Sequence, residues 1–410
     1  GSILSNFHGL SSYYPPLYYM QEAFVLRFFS DTQFLAFFSN LLALGLLSYS
    51  TYRIAGYFMH SPATEICGVL VLLFPLVAWT SRLSLLDVPL AGWVALSGYL
   101  VLKSDFLLSK GWTLVLGMAI AAGMLTKWTA ILFLISPLLY VVVYSADRRR
   151  SLINLMDALI LATPLVFWWY LPNLETLLVR FQQVSEASFW EGDPGLTSAL
   201  GWIYYPRSFS SYYLFFPLTL VFFWGVVALI RGKCQPYKGP LSFLCWWLLG
   251  SLILLTLLPT KDPRYVMPLA CPLAVLVVLP WQGKAVWEYL ILAVAFVQFL
   301  VISFPMPFSP TKIALFDLEN DTDYQSMRQE WVLFQTDYFG VAGSPRSESW
   351  SHEKILAEID FLGQVGFVPD APYFNSATFK LFAVRKGHLL QVFRLGLTED
   401  SICQLESVHF

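Results

Sequence analysis

Apolar residues in this chain come in long runs, unlike the alternating or one-sided patterns of soluble domains. Between residues 33 and 304 such runs recur, separated by short clusters of charge, Gly and Pro. Each is about the length that a bilayer core of ~30 Å demands of a spanning helix, roughly 20 residues. The pattern predicts helices over 33–57, 63–81, 87–103, 111–127, 129–146, 153–171, 210–230, 241–258, 265–281 and 285–304, ten spans in all. Around Lys127 two short helices meet with almost no loop. After Pro305-Met306-Pro307 the pattern changes, and about half of all Asp and Glu fall in the last quarter of the chain. There, 312–318 and 365–369 read as short strands, and 350–362 as a helix with Ser351 as its N-cap. The expected architecture is a mainly α, polytopic membrane protein with a small C-terminal α/β domain. Its parts are 1–32 (an external loop with an interfacial helix), 33–304 (the transmembrane domain) and 305–410 (the α/β domain).

Composition sharpens this. Of 410 residues, 57% are hydrophobic, 17% aromatic and only 13% charged, with a mean hydropathy of +0.60. Soluble domains carry roughly a quarter charged residues, so a soluble globular enzyme, a disordered chain and a collagen-like fibre are excluded. A net charge of −2 without a long basic run excludes a nucleic-acid binder. Lys and Arg orient the spans. Arg53, Lys103, Lys110, Arg148, Arg149, Arg150, Arg231, Lys233, Lys238 and Lys284 fall in one set of loops, which is therefore cytoplasmic. Residues 1–32, the loop 172–209 and everything after 304 then lie outside a multi-pass inner (plasma) membrane protein. Since ten spans leave both ends outside, a first helix is expected upstream of Gly1. Cys67, Cys234, Cys245, Cys271 and Cys403 form no CxxC, and His8, His60, His352, His388 and His409 are scattered. Neither a disulfide framework nor a multi-histidine metal site follows.

Ionisable side chains at membrane depth are functional candidates by default, and four groups fall at outer helix ends. Lys261-Asp262-Pro263-Arg264-Tyr265 places two cations at the mouth of a span, suited to a phosphate by the fork of Arg and the point charge of Lys; the alternative is interfacial snorkelling. Lys127 has no acid beside it in sequence, so either a phosphate ligand supplies its counter-charge or it is a loop lysine beside Trp128. Arg82 and Asp87 either pair or cap, and Asp87 before Pro89 suits an N-cap. Tyr13-Tyr14-Pro15-Pro16-Leu17, with Glu22 and Arg27, reads as an aromatic segment lying along the interface.

These features, in this order, resemble the membrane-embedded GT-C glycosyltransferases that use polyprenyl-phosphate sugars, within them the protein O-mannosyltransferase and aminoarabinose-transferase group. Tyr14-Pro15-Pro16-Leu17 is similar to an "HPPL" element, with Tyr14 where His is usual. Leu86-Asp87-Val88-Pro89-Leu90 resembles an acidic motif that opens a later span. The segment from Gly117 to Lys127 resembles "GLxxGLxxLTK", and that from Lys261 to Pro268 "KxxRYxxPxxP". The segment 365–379 is similar to a tail segment of bacterial members. The resemblance implies transfer of a sugar from an undecaprenyl- or dolichyl-phosphate-type donor to a protein or glycolipid acceptor at the outer face of the bilayer. Lys127, Lys261, Arg264 and Arg82 would hold the donor phosphate. Tyr14, Pro15, Pro16 and Tyr265 would line the substrate cavity. The general base of such enzymes is an Asp in an Asp-Glu pair upstream of the Pro-Pro-Leu element. It is expected before Gly1, with Glu22 and Asp87 the nearest substitutes in this chain and Asp87 the better suited to orienting the site. Some relatives bind a divalent metal, but no ligand set for one is evident. The rival classes are a non-catalytic membrane homologue and a secondary transporter; the latter should show matched broken helices and midplane acids, which are not found.

Overall fold

The computed structural model of the chain describes residues 13–28, 35–190, 193–231, 238–304, 312–316, 331–335, 352–358, 362–367, 379, 383 and 389–394. Helices α1 (Leu17–Phe28) and α2 (Leu35–Ala55) lead to α3 (Ala63–Leu73), α4 (Pro75–Thr80), α5 (Asp87–Lys103), α6 (Lys110–Thr126), α7 (Ala130–Tyr144) and α8 (Arg148–Trp190). Helix α9 (Ala199–Ser208) passes through a π-helical segment, Phe209–Leu214, into α10 (Phe215–Ile230). Then come α11 (Lys238–Thr256), α12 (Ala270–Val278) and α13 (Ala285–Ser303), with 3-10 segments Pro263–Leu269 and Leu279–Trp281 flanking α12.

The chain is a mainly helical membrane protein. By length and composition, Arg148–Glu186, Ala199–Ala228, Pro263–Trp281 and Ala285–Ser303 can each cross a bilayer, and Ala63–Leu73, Lys110–Thr126, Ala130–Tyr144 and Leu241–Thr256 are shorter apolar helices. Two sequence expectations need correction. The span at 63–81 is broken at Pro75, which lacks an N–H and forces Phe74 into extended backbone (φ −56°, ψ 127°). The stretch 172–209, expected to be a loop, is largely helical: α8 continues to Trp190 and α9 begins at Ala199. Pro172 and the charges Glu175, Arg180 and Glu186 interrupt the apolar run, but Leu, Glu, Gln and Arg are good helix formers and extend the helix regardless. With 43 residues, α8 is about 65 Å long.

Helix α2 packs against α3 and α5, and α6 lies between α5 and α8. Gly117 makes the α6–α8 contact possible: a Cβ there would meet the Ala158 carbonyl oxygen at 2.5 Å. Between α5 and α6 the chain makes a left-handed turn at Asp105, Phe106 and Leu107 (φ 53°, 53° and 69°), a conformation costing non-glycine residues about 1–2 kcal/mol each. Helix α8 holds it in place. Asn154 donates to the Leu107 and Leu108 carbonyls at 2.7 and 3.3 Å, and Ser151 to that of Phe106 at 2.9 Å.

Contacts divide the chain into two compact units, Gly1–Gly343 and Ser344–Phe410. The first includes an antiparallel pair, β1 (Lys312–Phe316) and β2 (Trp331–Gln335), with the Phe334 ring 5.0 Å from that of Phe215. The second contains α14 (His352–Ala357) and a parallel pair, β3 (Leu362–Phe367) and β4 (Leu389–Arg394). The strand expected at 312–318 is present, and that expected at 365–369 starts three residues earlier, at Leu362. The helix expected over 350–362 is confined to His352–Ala357 among the described residues, and its proposed cap Ser351 lies outside them.

Candidate functional site

The site forms where three breaks in the helical pattern converge. Between α6 and α7 only residues 127–129 are non-helical, and Lys127 takes an extended conformation (φ −155°, ψ 133°) with its N–H on the Gly123 carbonyl. This turns the side chain out of the helix line. Lys127 is 6% exposed, and its Nζ donates to Asp87 Oδ1 at 2.8 Å, 4.8 Å from the centre of the Tyr265 ring. The acid that sequence proximity could not supply thus comes from the start of α5, 40 residues away.

Asp87 is the first residue of α5 and not its cap. Leu86 occupies the cap position, and no side chain bonds the helix start there. The Asp87 carboxylate is therefore directed to Lys127, beside the positive end of the helix dipole. Nor does Asp87 pair with Arg82, whose guanidinium donates to Ser303 Oγ and lies 5.8 Å from the Phe299 ring, at the end of α13.

The third break carries Lys261 to Tyr265. Asp262 caps the 3-10 segment by accepting from the Arg264 N–H at 2.8 Å, and its carboxylate also accepts from the Arg264 guanidinium. Lys261 is 3% exposed; its ammonium donates to the Thr256 and Leu258 carbonyls, released by the end of α11, and lies 5.6 Å from the Tyr205 ring. Burial pushes its pKa down to about 8, against an opposing pull from Asp193. Asp193 also accepts the Lys261 backbone N–H at 2.9 Å, and Tyr213 donates to the Pro263 carbonyl at 3.1 Å. The turn after α8 and the π segment after α9 together hold this loop.

Ahead of α1, the Tyr13 and Tyr14 rings stand 4.4 Å apart, over buried Pro15 and Pro16. Burial raises the Tyr14 phenol above its usual range; the nearby Asp87 charge adds to this and Arg264 opposes it. Burial likewise pushes Tyr13 up to about 12. Tyr13, Tyr14, Lys127, Trp128, Phe181 and Tyr265 line a cleft of about 490 Å³. One wall is the C-terminal part of α8, where Phe181 meets Trp128 edge to face, centroids 4.3 Å apart. Of the residues singled out from sequence, the structure brings Tyr14, Asp87, Lys127, Arg264 and Tyr265 together. Lys261 stands behind the loop with its ammonium on backbone carbonyls. Glu22, one turn beyond Tyr18 on α1, is not part of the cleft lining. Sequence reasoning missed Phe181, Asp193 and Tyr205, all within the stretch read as a loop. It also gave no role to Asp262, although Asp before Pro is a helix-start signal. Among the described residues no three His, Cys, Asp or Glu converge on a metal position.

This architecture, apolar helices around a cleft closed by aromatic rings and a buried Lys–Asp pair, resembles the GT-C type of membrane fold. A family model described as dolichyl-phosphate-mannose-protein mannosyltransferase matches residues 14–173, the stretch that includes Tyr14, Asp87 and Lys127. The chain is 24% identical over 305 residues to undecaprenyl phosphate-alpha-4-amino-4-deoxy-L-arabinose arabinosyl transferase 1 of Pseudomonas fluorescens, covering 70% of this chain and 51% of that protein. It is 28% identical over 265 residues to the corresponding transferase of Pseudomonas aeruginosa, covering 60% of this chain and 46% of that protein. The chain thus spans about half the length of the curated relatives it matches. In three dimensions it superposes on the crystal structure of ArnT from Cupriavidus metallidurans bound to undecaprenyl phosphate, with a TM-score of 0.61 at 14% identity. That match covers 97% of this chain and 78% of that one. The fold is that of ArnT, and the resemblance drawn from the motifs holds in family model, in sequence and in fold.

Proposed function

We propose that the chain is the catalytic membrane core of a glycosyltransferase that moves a sugar from a polyprenyl-phosphate donor to a protein or glycolipid acceptor at the outer face of the membrane. The observation that carries this reading is the buried Lys127 ammonium, set at an apolar helix junction and opening on an aromatic cleft. A lipid phosphate brings its own apolar anchor to such a place, and its charge supplies what a buried cation requires. The relatives are named for undecaprenyl-phosphate aminoarabinose, and the matching ArnT structure holds undecaprenyl phosphate.

In this mechanism the donor phosphate is the leaving group. Lys127, with Arg264 on the loop that carries Tyr265, stabilises the charge that grows on it as the sugar–phosphate bond breaks. Tyr14 and Tyr265, both lining the cleft, offer phenol donors to the phosphate oxygens. Trp128 and Phe181 present ring faces to the sugar. The acceptor hydroxyl attacks the anomeric carbon as the sugar–phosphate bond breaks, its proton passing to the departing phosphate or to water, while Asp87 orients Lys127. Lys261 acts from behind, fixing the loop that carries Arg264 and Tyr265. The topology that accompanies this reading has ten spans. Asp87 and Lys127 face outward, and Lys103 and Lys110 are at the opposite ends of α5 and α6, on the cytoplasmic side. The residues after 304 are then extracytoplasmic.

The test is a donor screen by mass spectrometry with membranes containing the protein. Transfer from a polyprenyl-phosphate sugar, abolished by Lys127→Ala and by Arg264→Ala with membrane insertion intact, is the expected result. Unchanged transfer in both variants, or no transfer from any such donor, would overturn the reading.

A further inference from the structure

We propose that Asp87 is the anion a bound phosphate must displace from Lys127, so that the Lys127–Asp87 pair is an exchangeable counter-ion that lowers donor affinity and expels the lipid phosphate after transfer. This rests on the reading of the cleft as a polyprenyl-phosphate site, and deepens it by assigning the step that controls occupancy.

The argument starts from the pair's surroundings. Both side chains are almost fully buried, at 7% and 6% exposure, and meet at 2.8 Å. An ammonium has three N–H groups, and among the described residues this one donates to Asp87. Its other neighbour is the face of Tyr265, which attracts a cation but accepts no conventional hydrogen bond. Among the described residues the pair is therefore held by a single strong contact at the cleft wall, not enclosed in a network. A phosphate that reaches Nζ arrives within a few ångströms of the Asp87 carboxylate, in surroundings where like charges are poorly screened. Both anions cannot share one ammonium at full strength, so one must yield.

The Tyr14 phenol, which lines the cleft with Lys127, keeps its proton because burial and then the Asp87 charge raise its pKa, so it adds no second anion to the site. When transfer is complete, the Asp87 carboxylate competes with the lipid phosphate for Lys127. Since product release limits many enzymes, a built-in competitor speeds turnover at the expense of ground-state affinity.

This assignment predicts the opposite sign from a purely supporting role. Were Asp87 only a brace, Asp87→Asn would let Lys127 wander and binding would weaken. As a competitor, its removal leaves a buried, unpaired ammonium that welcomes an anion. The experiment measures binding of undecaprenyl phosphate, and separately of inorganic phosphate, to the purified full chain in detergent. Asp87→Asn should bind both at least about tenfold more tightly, Asp87→Glu should stay within about threefold of the parent, and Lys127→Gln with Asp87→Asn should lose the gain. Weaker or unchanged binding by Asp87→Asn overturns the proposal. If the parent protein binds no undecaprenyl phosphate, it is the underlying reading of the cleft that fails. A measurement on the unmodified protein guards against a variant that does not fold: carbodiimide labelling of Asp87, read by peptide mass spectrometry, should rise when undecaprenyl phosphate is added. Protection or no change overturns the exchange.

Discussion

Replacing Lys127 by Met would leave the Asp87 carboxylate without its cation in a setting where only 6% of that side chain is exposed. Breaking a buried pair in this way costs about 3–5 kcal/mol, because the remaining charge keeps its desolvation penalty and loses its compensation. Removing both charges is different: in Lys127→Met with Asp87→Leu neither penalty remains, and the pair is replaced by apolar contact, a change that is often neutral. The double variant should therefore be at least about 2 kcal/mol more stable than Lys127→Met alone. Unfolding of the purified protein in mixed micelles, titrated with a denaturing detergent and followed by tryptophan fluorescence, gives the three differences of a double-mutant cycle. Two results would refute the reasoning. A cost below about 1 kcal/mol for Lys127→Met would mean that the carboxylate is reached by water or another cation. A double variant that loses the sum of the single losses would mean that the two residues act independently.

Two further outcomes follow from the loops. Asn154→Ala should lower stability by about 1–3 kcal/mol, since it strips the amide donor from the Leu107 and Leu108 carbonyls and with it the clamp on a left-handed turn; thermal unfolding together with limited proteolysis at 104–109 reads it, and a variant as stable and as resistant as the parent would contradict it. For Lys261, whose pKa of about 8 lies below the ~10.4 of an unfolded lysine, the unfolded chain binds more protons between those values. The contribution of Lys261 to stability then rises with pH across that window. The stability difference between the parent and Lys261→Gln should grow in the parent's favour from pH 8 to pH 10, and a flat difference would contradict the burial of the ammonium.

Apolar run length located most of the helices, because membrane-depth segments must satisfy their own backbone hydrogen bonds and are therefore long and uninterrupted. The same criterion failed at α8, whose C-terminal part mixes charge with Leu, Phe and Val and reads as a loop unless helix propensity is weighed beside hydropathy. At the site, Lys127 was legible as a cation without a local partner. Its acid was not, since the pairing joins the starts and ends of different helices. Asp87 looked like a cap by position, yet tertiary contact redirected it. Lys261 could not be distinguished from Arg264 in the sequence, as both are cations at the mouth of a span. The difference between them lies in the carbonyls that α11 leaves open at its end, which Lys261 reaches and Arg264 does not.

The length of α8 has one more consequence. Its stretch Arg148–Glu186 is a single membrane-crossing candidate of 39 residues, about 58 Å of helix against a hydrocarbon layer of ~30 Å. The surplus is part of the cleft: Phe181, Val184 and Ser185 all lie on it. A helix anchored by exposed arginines at one end answers a change in bilayer thickness by tilting or bending, and Pro164 and Pro172 are where bending is easiest. The cleft wall that carries Phe181 is therefore the part of the site on which a change in bilayer thickness would act.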